Sequence, residues 1–420
     1  MTRPRAVVLS GSIGLGHEML VRSCSSLLVQ AGWDVRSLDC MQQLGRRSSA
    51  AGQRLFTRMV GAMPGVYDGL HFAHLRTGSA LAKAMDSGAR ARLVPALRAE
   101  LDAAPADLVL SVFATGASAA AALKAEAPAR RTVVLCTDVT LHRLWVNEGT
   151  DLFLATSPAA AASVLRYLPR ARVAVVPPPV RPAFYDAPSR VKAREALGLG
   201  PDAGCVLVID SGWGFGPLVD SVEAMARAGV HVLAVAGRQH DVERRFRALS
   251  EHQPRVHPFG FVEAVPLLMA AADAVMALPG ATTCAEARVV GRPLLLLDLM
   301  PGHGRENVLH ELELGGARVC GPTAGDVVAA TTALLDAGIA PPAPLPRWEP
   351  AFAGALAGIG VGLDVDAAGQ AGVALAGGTH TPDTMPPSGA PAPAPAPAHR
   401  PNPRREDQRP VRPMAGARRR

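Results

Sequence analysis

His17 follows Gly14 by three residues and Gly16 by one, and two chemistries fit that spacing. A glycine turn that opens a helix can cradle the pyrophosphate of a dinucleotide, or it can deliver an imidazole to a reaction. The dinucleotide fingerprint needs a third glycine three residues after the second, so that strand and helix pack closely, and here that position is Met19. A histidine in the first turn of a helix instead meets the positive end of the helix dipole, which lowers its pKa and favours the neutral, proton-accepting form. The turn therefore reads as a place for a general base, or as a first-turn histidine that only caps or packs. Further along, Gly212, Gly214 and Gly216 allow the backbone to approach a phosphate closely, or simply turn the chain from strand to helix. Gly280, Ala281, Thr282 and Thr283 offer free N–H groups and hydroxyls to an anion at a helix start. Glu286 lies one turn further in, where a carboxylate can accept from two neighbouring hydroxyls, as a ribose presents. His303 and Asn307, four apart, share one face at the start of the next helix.

These groups need elements to hold them, and the hydrophobic pattern supplies strands. Apolar, β-branched runs recur at 6–10, 33–39, 107–113, 132–138, 151–157 and 172–176, mostly separated by alanine-rich helical stretches. Proline then crowds 177–188, a semi-rigid linker, and the alternation restarts at 205–212, 230–237, 274–280, 293–299 and 317–321. Such alternation predicts parallel sheets covered on both faces, in two α/β domains across a hinge. The expected boundaries are 1–178 for the first domain, 179–188 for the linker, 189–345 for the second domain and 346–377 for a C-terminal segment. From about residue 378 the proline- and arginine-rich sequence lacks the apolar content to fold, and a disordered basic tail is expected.

One segment interrupts the first alternation. Residues 51–92 show no strand pattern but carry Arg54, Arg58, Arg76, Lys83, Arg90 and Arg92 against Asp68 and Asp86, interleaved with Leu55, Phe56, Met59, Val60, Met63, Phe72 and Leu75. A helical insertion with one apolar and one basic face suits an anionic membrane surface or a lipid-linked acceptor, or packs on its own domain as an ordinary helix pair.

Composition bounds the partners. At 420 residues the chain exceeds the length at which one hydrophobic core stops growing, and 49% of it is apolar with only 4% aromatic. Of the net +7, residues 391–420 supply eight arginines against Glu406 and Asp407, so the body is nearly neutral and gives no sign of a nucleic-acid partner. Cys24, Cys40, Cys136, Cys205, Cys284 and Cys320 are scattered without a C-x-x-C pair, which reads as buried thiols of a reducing compartment rather than metal ligands. No signal-peptide pattern opens the chain and no apolar run reaches membrane-spanning length, so an intracellular protein with at most peripheral membrane contact is expected. Oligomeric state is not legible.

In order and spacing the motifs resemble the GT-B glycosyltransferases that include monogalactosyldiacylglycerol synthase, processive diacylglycerol glucosyltransferases and the N-acetylglucosaminyltransferase of peptidoglycan assembly. The likeness runs from about residue 5 to about 335. Gly14-Leu15-Gly16-His17 resembles the family's G-x-G-H turn, which favours the histidine reading, and Thr137, Asp138, His142 and Trp145 resemble its T-D, H and W. Pro179, Val180 and Phe184 resemble the linker motif. The Gly260-Phe261 pair, with Phe259 beside it, resembles the pair whose backbone meets uracil in relatives. Pro279, Gly280, Thr283 and Glu286 resemble P-G-x-x-T-x-x-E, and Pro301, Gly302, His303 and Asn307 resemble P-G-Q-E-x-x-N. The chain departs from the lipid-modifying relatives at Leu278, where they have lysine, and at Gly304, where they have an acidic or amide residue that contacts the hexose.

The resemblance implies two Rossmann-like domains facing a cleft. It also implies an inverting transferase that moves a hexose or N-acetylhexosamine from a UDP-sugar to a lipid, with diacylglycerol as the first acceptor candidate. The UDP-sugar is a co-substrate, no cofactor is implied, and no metal is needed where helix N-termini and glycine amides carry the leaving diphosphate. His17 and Asp138 are the candidate bases, His17 first, with Asp138 otherwise an orienting partner or a carboxylate satisfied by loop amides. The expected location is cytoplasmic, on the inner face of the cell membrane. A UDP-sugar 2-epimerase and a non-catalytic nucleotide-sugar-binding protein are the rival readings.

Overall fold

The computed structural model describes residues 3–11, 15–43, 63–210, 218–337 and 342–364. Within them lie two six-stranded sheets. The first contains β1 (Arg5–Ser10), β2 (Asp34–Asp39), β3 (Leu108–Ser111), β4 (Arg131–Cys136), β5 (Leu152–Ala155) and β6 (Val173–Val175), in the order β2-β1-β3-β4-β5-β6. The second contains β7 (Cys205–Ile209), β8 (His231–Val235), β9 (Val256–Phe259), β10 (Ala274–Ala277), β11 (Leu294–Leu297) and β12 (Ala317–Cys320), in the order β12-β11-β10-β7-β8-β9. Every pairing is parallel.

Parallel strands need crossovers, and helices pack on both faces, so the central strands are continuous apolar runs rather than alternating ones, while the edge strands β2, β9 and β12 are mixed. All residues of β3, β5, β10 and β11 are buried. Apolar clusters lie on each side of the second sheet, one holding Val206, Met276 and Leu297 and the other Leu207, Val275 and Leu296. The strand β9 was not among the expected ones, for a physical reason. Its four residues include Pro258, which lacks the N–H a central strand must donate, and β9 sits at the sheet edge, where that loss is tolerated.

After the second sheet the chain returns to the first. The helix Glu349–Ala357 sets Phe352 and Leu356 among Leu108, Leu110 and Val133, and Trp348 Nε1 donates to the Val180 carbonyl at 3.0 Å. The six cysteines are buried and unpaired. Among the described residues no helix is long and apolar enough to cross a membrane.

In open parallel sheets a ligand crevice forms beyond the carboxyl ends of the strands, at the point where strand order reverses. The first sheet reverses between β1 and β3 and the second between β7 and β10. The residues singled out for chemistry follow β1, β4, β7, β9, β10 and β11 in the chain.

Candidate active site

The helix Leu15–Gln30 follows β1 and carries His17 in its first turn. The His17 Nδ1 lies 3.2 Å from the carbonyl oxygen of Val112, just beyond β3. A carbonyl only accepts, so Nδ1 carries the hydrogen and the neutral ring keeps its lone pair on Nε2. Phe113 supports the ring edge-on at 5.5 Å. Gly11 makes room for that support, since a Cβ there would stand 2.6 Å from the Phe113 ring. Burial holds the His17 pKa below its ordinary value, opposed by the Asp138 carboxylate and the Val112 hydrogen bond. His17 is therefore neutral at pH 7 and available as a base.

Asp138 lines the same cleft, and its Oδ2 accepts from Trp145 Nε1 at 2.9 Å. His142 and Trp145, which resemble the family's H and W and are expected on the acceptor side of the site, do not themselves line the cleft. Trp145 is buried and orients Asp138, while burial pushes the His142 pKa down to about 4.

Across the cleft, Gly280 caps the helix Ala281–Val290 without a side-chain bond, leaving the first-turn N–H groups aimed outward. This helix start comes close to the first half: a Cβ on Gly16 would lie 3.1 Å from Thr282 Oγ1. Glu286 is buried one turn in, where burial pushes its carboxyl up to about 7 despite the Arg181 guanidinium 3.5 Å away. Arg181 belongs to the linker and lies over the Phe184 ring at 4.8 Å. It escaped the sequence reading, although it is the only cation in the proline-rich stretch 177–188. Asn307 is buried and donates from Nδ2 to the Pro279 carbonyl at 2.8 Å, so it ties the next helix to the Pro279–Gly280 turn. His303 begins that helix, His303–Leu314, and lines the cleft; burial lowers its pKa, with Asp138 opposing.

Several expected residues are placed otherwise. Phe259 closes β9 and packs against the core, and Gly260 faces the helix His240–Ser250, where a Cβ would meet Glu243 Oε2 at 2.8 Å. Neither lines the cleft. Phe261 does, beneath the Arg238 guanidinium at 4.9 Å, and Arg238 reaches Glu18 of the first half through two bonds of 2.9 and 3.1 Å. Gly14, Gly212, Gly214 and Gly216 lie outside the described residues, as do 51–62 of the insertion.

The described part of the insertion does not pack only on its own half. From the helical stretch 64–75 and Arg76 just after it, Asp68 Oδ1 accepts from the Gly302 amide at 2.6 Å, Tyr67 meets His303, and His71 and Arg76 both meet Glu306. Met63, Val66 and Phe72, with Leu81 and Met85 on the following helix Ala80–Ala103, stay exposed. Leu278 is buried in the core with Met300, and a Cβ on Gly304 would come within 2.5 Å of the Met300 Cβ, so Met300 fills the space that a side chain at 304 would need.

Residues 217–318 match the glycosyltransferase family 28 C-terminal domain. The chain is 27% identical over 195 residues to a probable monogalactosyldiacylglycerol synthase 2 of Oryza sativa subsp. japonica, covering 44% of this chain and 41% of that one. It is 25% identical over 192 residues to a processive diacylglycerol beta-glucosyltransferase of Bacillus licheniformis, covering 45% and 50%. The matches thus span half or less of those relatives' lengths. The calicheamicin glycosyltransferase CalG4 shares the fold at a TM-score of 0.55 and 15% identity, over 90% of this chain and 99% of that one. The architecture is GT-B, and solved UDP-sugar epimerases share it as well.

Proposed function

We propose that this chain is an inverting glycosyltransferase that moves a hexose or N-acetylhexosamine from a UDP-sugar to a lipid hydroxyl, diacylglycerol being the first candidate. The observation that carries the reading is the pairing across one cleft of His17, its Nε2 unprotonated, with an open helix start and the buried Glu286. In this reading Glu286 accepts from the ribose hydroxyls, and the N–H groups at 280–283 meet the diphosphate. His17 Nε2 takes the proton of the acceptor hydroxyl as its oxygen bonds to the anomeric carbon. The bond from that carbon to the diphosphate oxygen breaks, and UDP leaves with its charge held at the helix start. Asp138, held by Trp145, stabilises the imidazolium that forms.

The named relatives that act on diacylglycerol support the acceptor class, as does the family 28 match for the second half. An epimerase or a nucleotide-sugar-binding protein would transfer nothing. Radiolabelled UDP-glucose, UDP-galactose and UDP-N-acetylglucosamine, each incubated with diacylglycerol liposomes, separate the readings. Label from at least one donor should enter the organic phase, and label that stays in water with all three donors, with cell membranes as well, overturns the transferase.

The reading includes peripheral binding to the cytoplasmic face of the membrane. The exposed Met63, Val66, Phe72, Leu81 and Met85, beside the exposed Lys83, Arg90 and Arg92, support it. A chain lacking the arginine-rich tail should float with anionic vesicles, less so as salt rises and little with neutral vesicles. Equal flotation on both kinds of vesicle removes the electrostatic part of the proposal.

A further inference from the structure

Two imidazoles line the cleft, and each has its Nδ1 turned toward a fixed protein group. For His17 that group is the Val112 carbonyl; for His303 it is the phenol of Tyr67, 3.2 Å from Nδ1. Tyr67 comes from the first-half insertion and is 5% exposed. Its ring stacks on His71 at 6.1 Å and fits over Gly302, where a Cβ would stand 2.6 Å from it. Gly302 itself is held at φ +64 with its amide bonded to Asp68, one residue along from Tyr67. Phenol and imidazole are therefore held from both sides. The phenol is a hydrogen donor, and burial next to Asp138 and Asp68 keeps it protonated by raising its pKa.

We infer that Tyr67 is a positioning residue: its hydroxyl donates to His303 Nδ1 and fixes His303 as an Nε2–H donor toward the cleft. The two imidazoles then have opposite polarity, His17 Nε2 accepting and His303 Nε2–H donating. Substrate lying between them, on the transferase reading this inference rests on, meets one acceptor and one donor. A sugar hydroxyl or a diphosphate oxygen takes the hydrogen bond from His303, while the acceptor hydroxyl gives its proton to His17. Without the phenol, His303 can place its hydrogen on either nitrogen, and one of the two forms presents a lone pair to an oxygen that also carries lone pairs.

Tyr67→Phe keeps the ring stack and the fit over Gly302 and removes only the hydroxyl. The expected effect is a fall of about tenfold in kcat/KM at unchanged melting temperature, the size of one lost hydrogen bond. His303→Gln presents an amide N–H that needs no phenol to set it. In that background Tyr67→Phe should change kcat/KM by less than about twofold, because the two groups act as one unit. A full tenfold loss in both backgrounds contradicts the inference. The tautomer is also read directly in the ligand-free chain by 15N NMR of labelled histidine, with His303→Gln identifying the signal. Nε2–H in the wild type and a mixture in Tyr67→Phe are expected. Nδ1–H in the wild type, or no change in the variant, overturns the inference whether or not the chain proves to be a transferase.

Discussion

Replacing His17 with alanine lowers kcat by about a hundred- to ten-thousandfold, the usual cost of a lost general base, and leaves UDP affinity close to wild type. The two effects separate because His17 follows a strand of the first sheet and the helix start at Gly280, the proposed diphosphate site, follows a strand of the second, the two facing each other across the cleft. With Nδ1 committed to Val112, His17 has one nitrogen left, and that nitrogen is unprotonated at neutral pH because burial lowers the ring's pKa. Wild-type turnover should therefore be flat through pH 7 and fall only on the acid side, as the imidazole gains a proton. Steady-state kinetics and calorimetric titration with UDP check both halves of the claim. Near-normal turnover in His17→Ala passes the base to Asp138, and loss of UDP binding means that the glycine turn holds phosphate instead.

Glu286→Ala has its large effect on binding. Hydrogen bonds to an ionised group contribute about 1.5–3 kcal/mol, so UDP affinity should fall by about ten- to a hundredfold. Turnover at saturating donor should stay within a few-fold, because a ribose contact is made about equally in ground and transition states. The ionised carboxylate is the form that accepts from two hydroxyls, and in the free chain its pKa is raised to about 7. UDP affinity in the wild type should therefore rise from pH 6 to pH 8. For stability the sign is opposite. The folded state holds the Glu286 proton more tightly than the unfolded chain, so its stabilising contribution is full below the ordinary 4.5 and lost as pH rises through about 7. Glu286→Gln should melt higher than wild type at pH 8 while binding UDP more weakly and with less dependence on pH. Titration and melting curves at pH 6 and 8 test this, and unchanged UDP affinity in Glu286→Ala removes the residue from the site.

Much of this was legible because it is local. His17 in a glycine turn after an apolar strand, and Glu286 one turn into a helix that begins Gly-Ala-Thr-Thr, are readable from spacing alone, since strand end, turn and helix start are consecutive in the chain. What was not legible depends on long-range approach. The insertion was read from its basic and apolar exterior, yet Tyr67, Asp68 and His71 on the same stretch turn to a helix more than 230 positions away. No periodicity marks such a contact. Arg181 sits in a linker whose prolines announce only stiffness, and its pairing with Glu286 exists only once that linker packs against the second sheet's helix Ala281–Val290. The departure at Gly304 is explained only by the fold, because Met300 fills the space that a side chain there would need. The edge strand β9 was hidden by Pro258, which argues against a strand everywhere except at an edge.

The central claim is a single displacement at the anomeric carbon, with His17 as base on the acceptor side and the second sheet holding the leaving UDP. The anomeric configuration of the product tests it most directly. The common UDP-hexoses are α-linked, so one displacement yields a β-glycoside, and the glycolipid extracted from the transfer reaction should show the β-anomer alone by proton NMR. An α-linked product would require two displacements or departure and attack on one face. The assignment of His17 as the base of a one-step reaction would then be wrong.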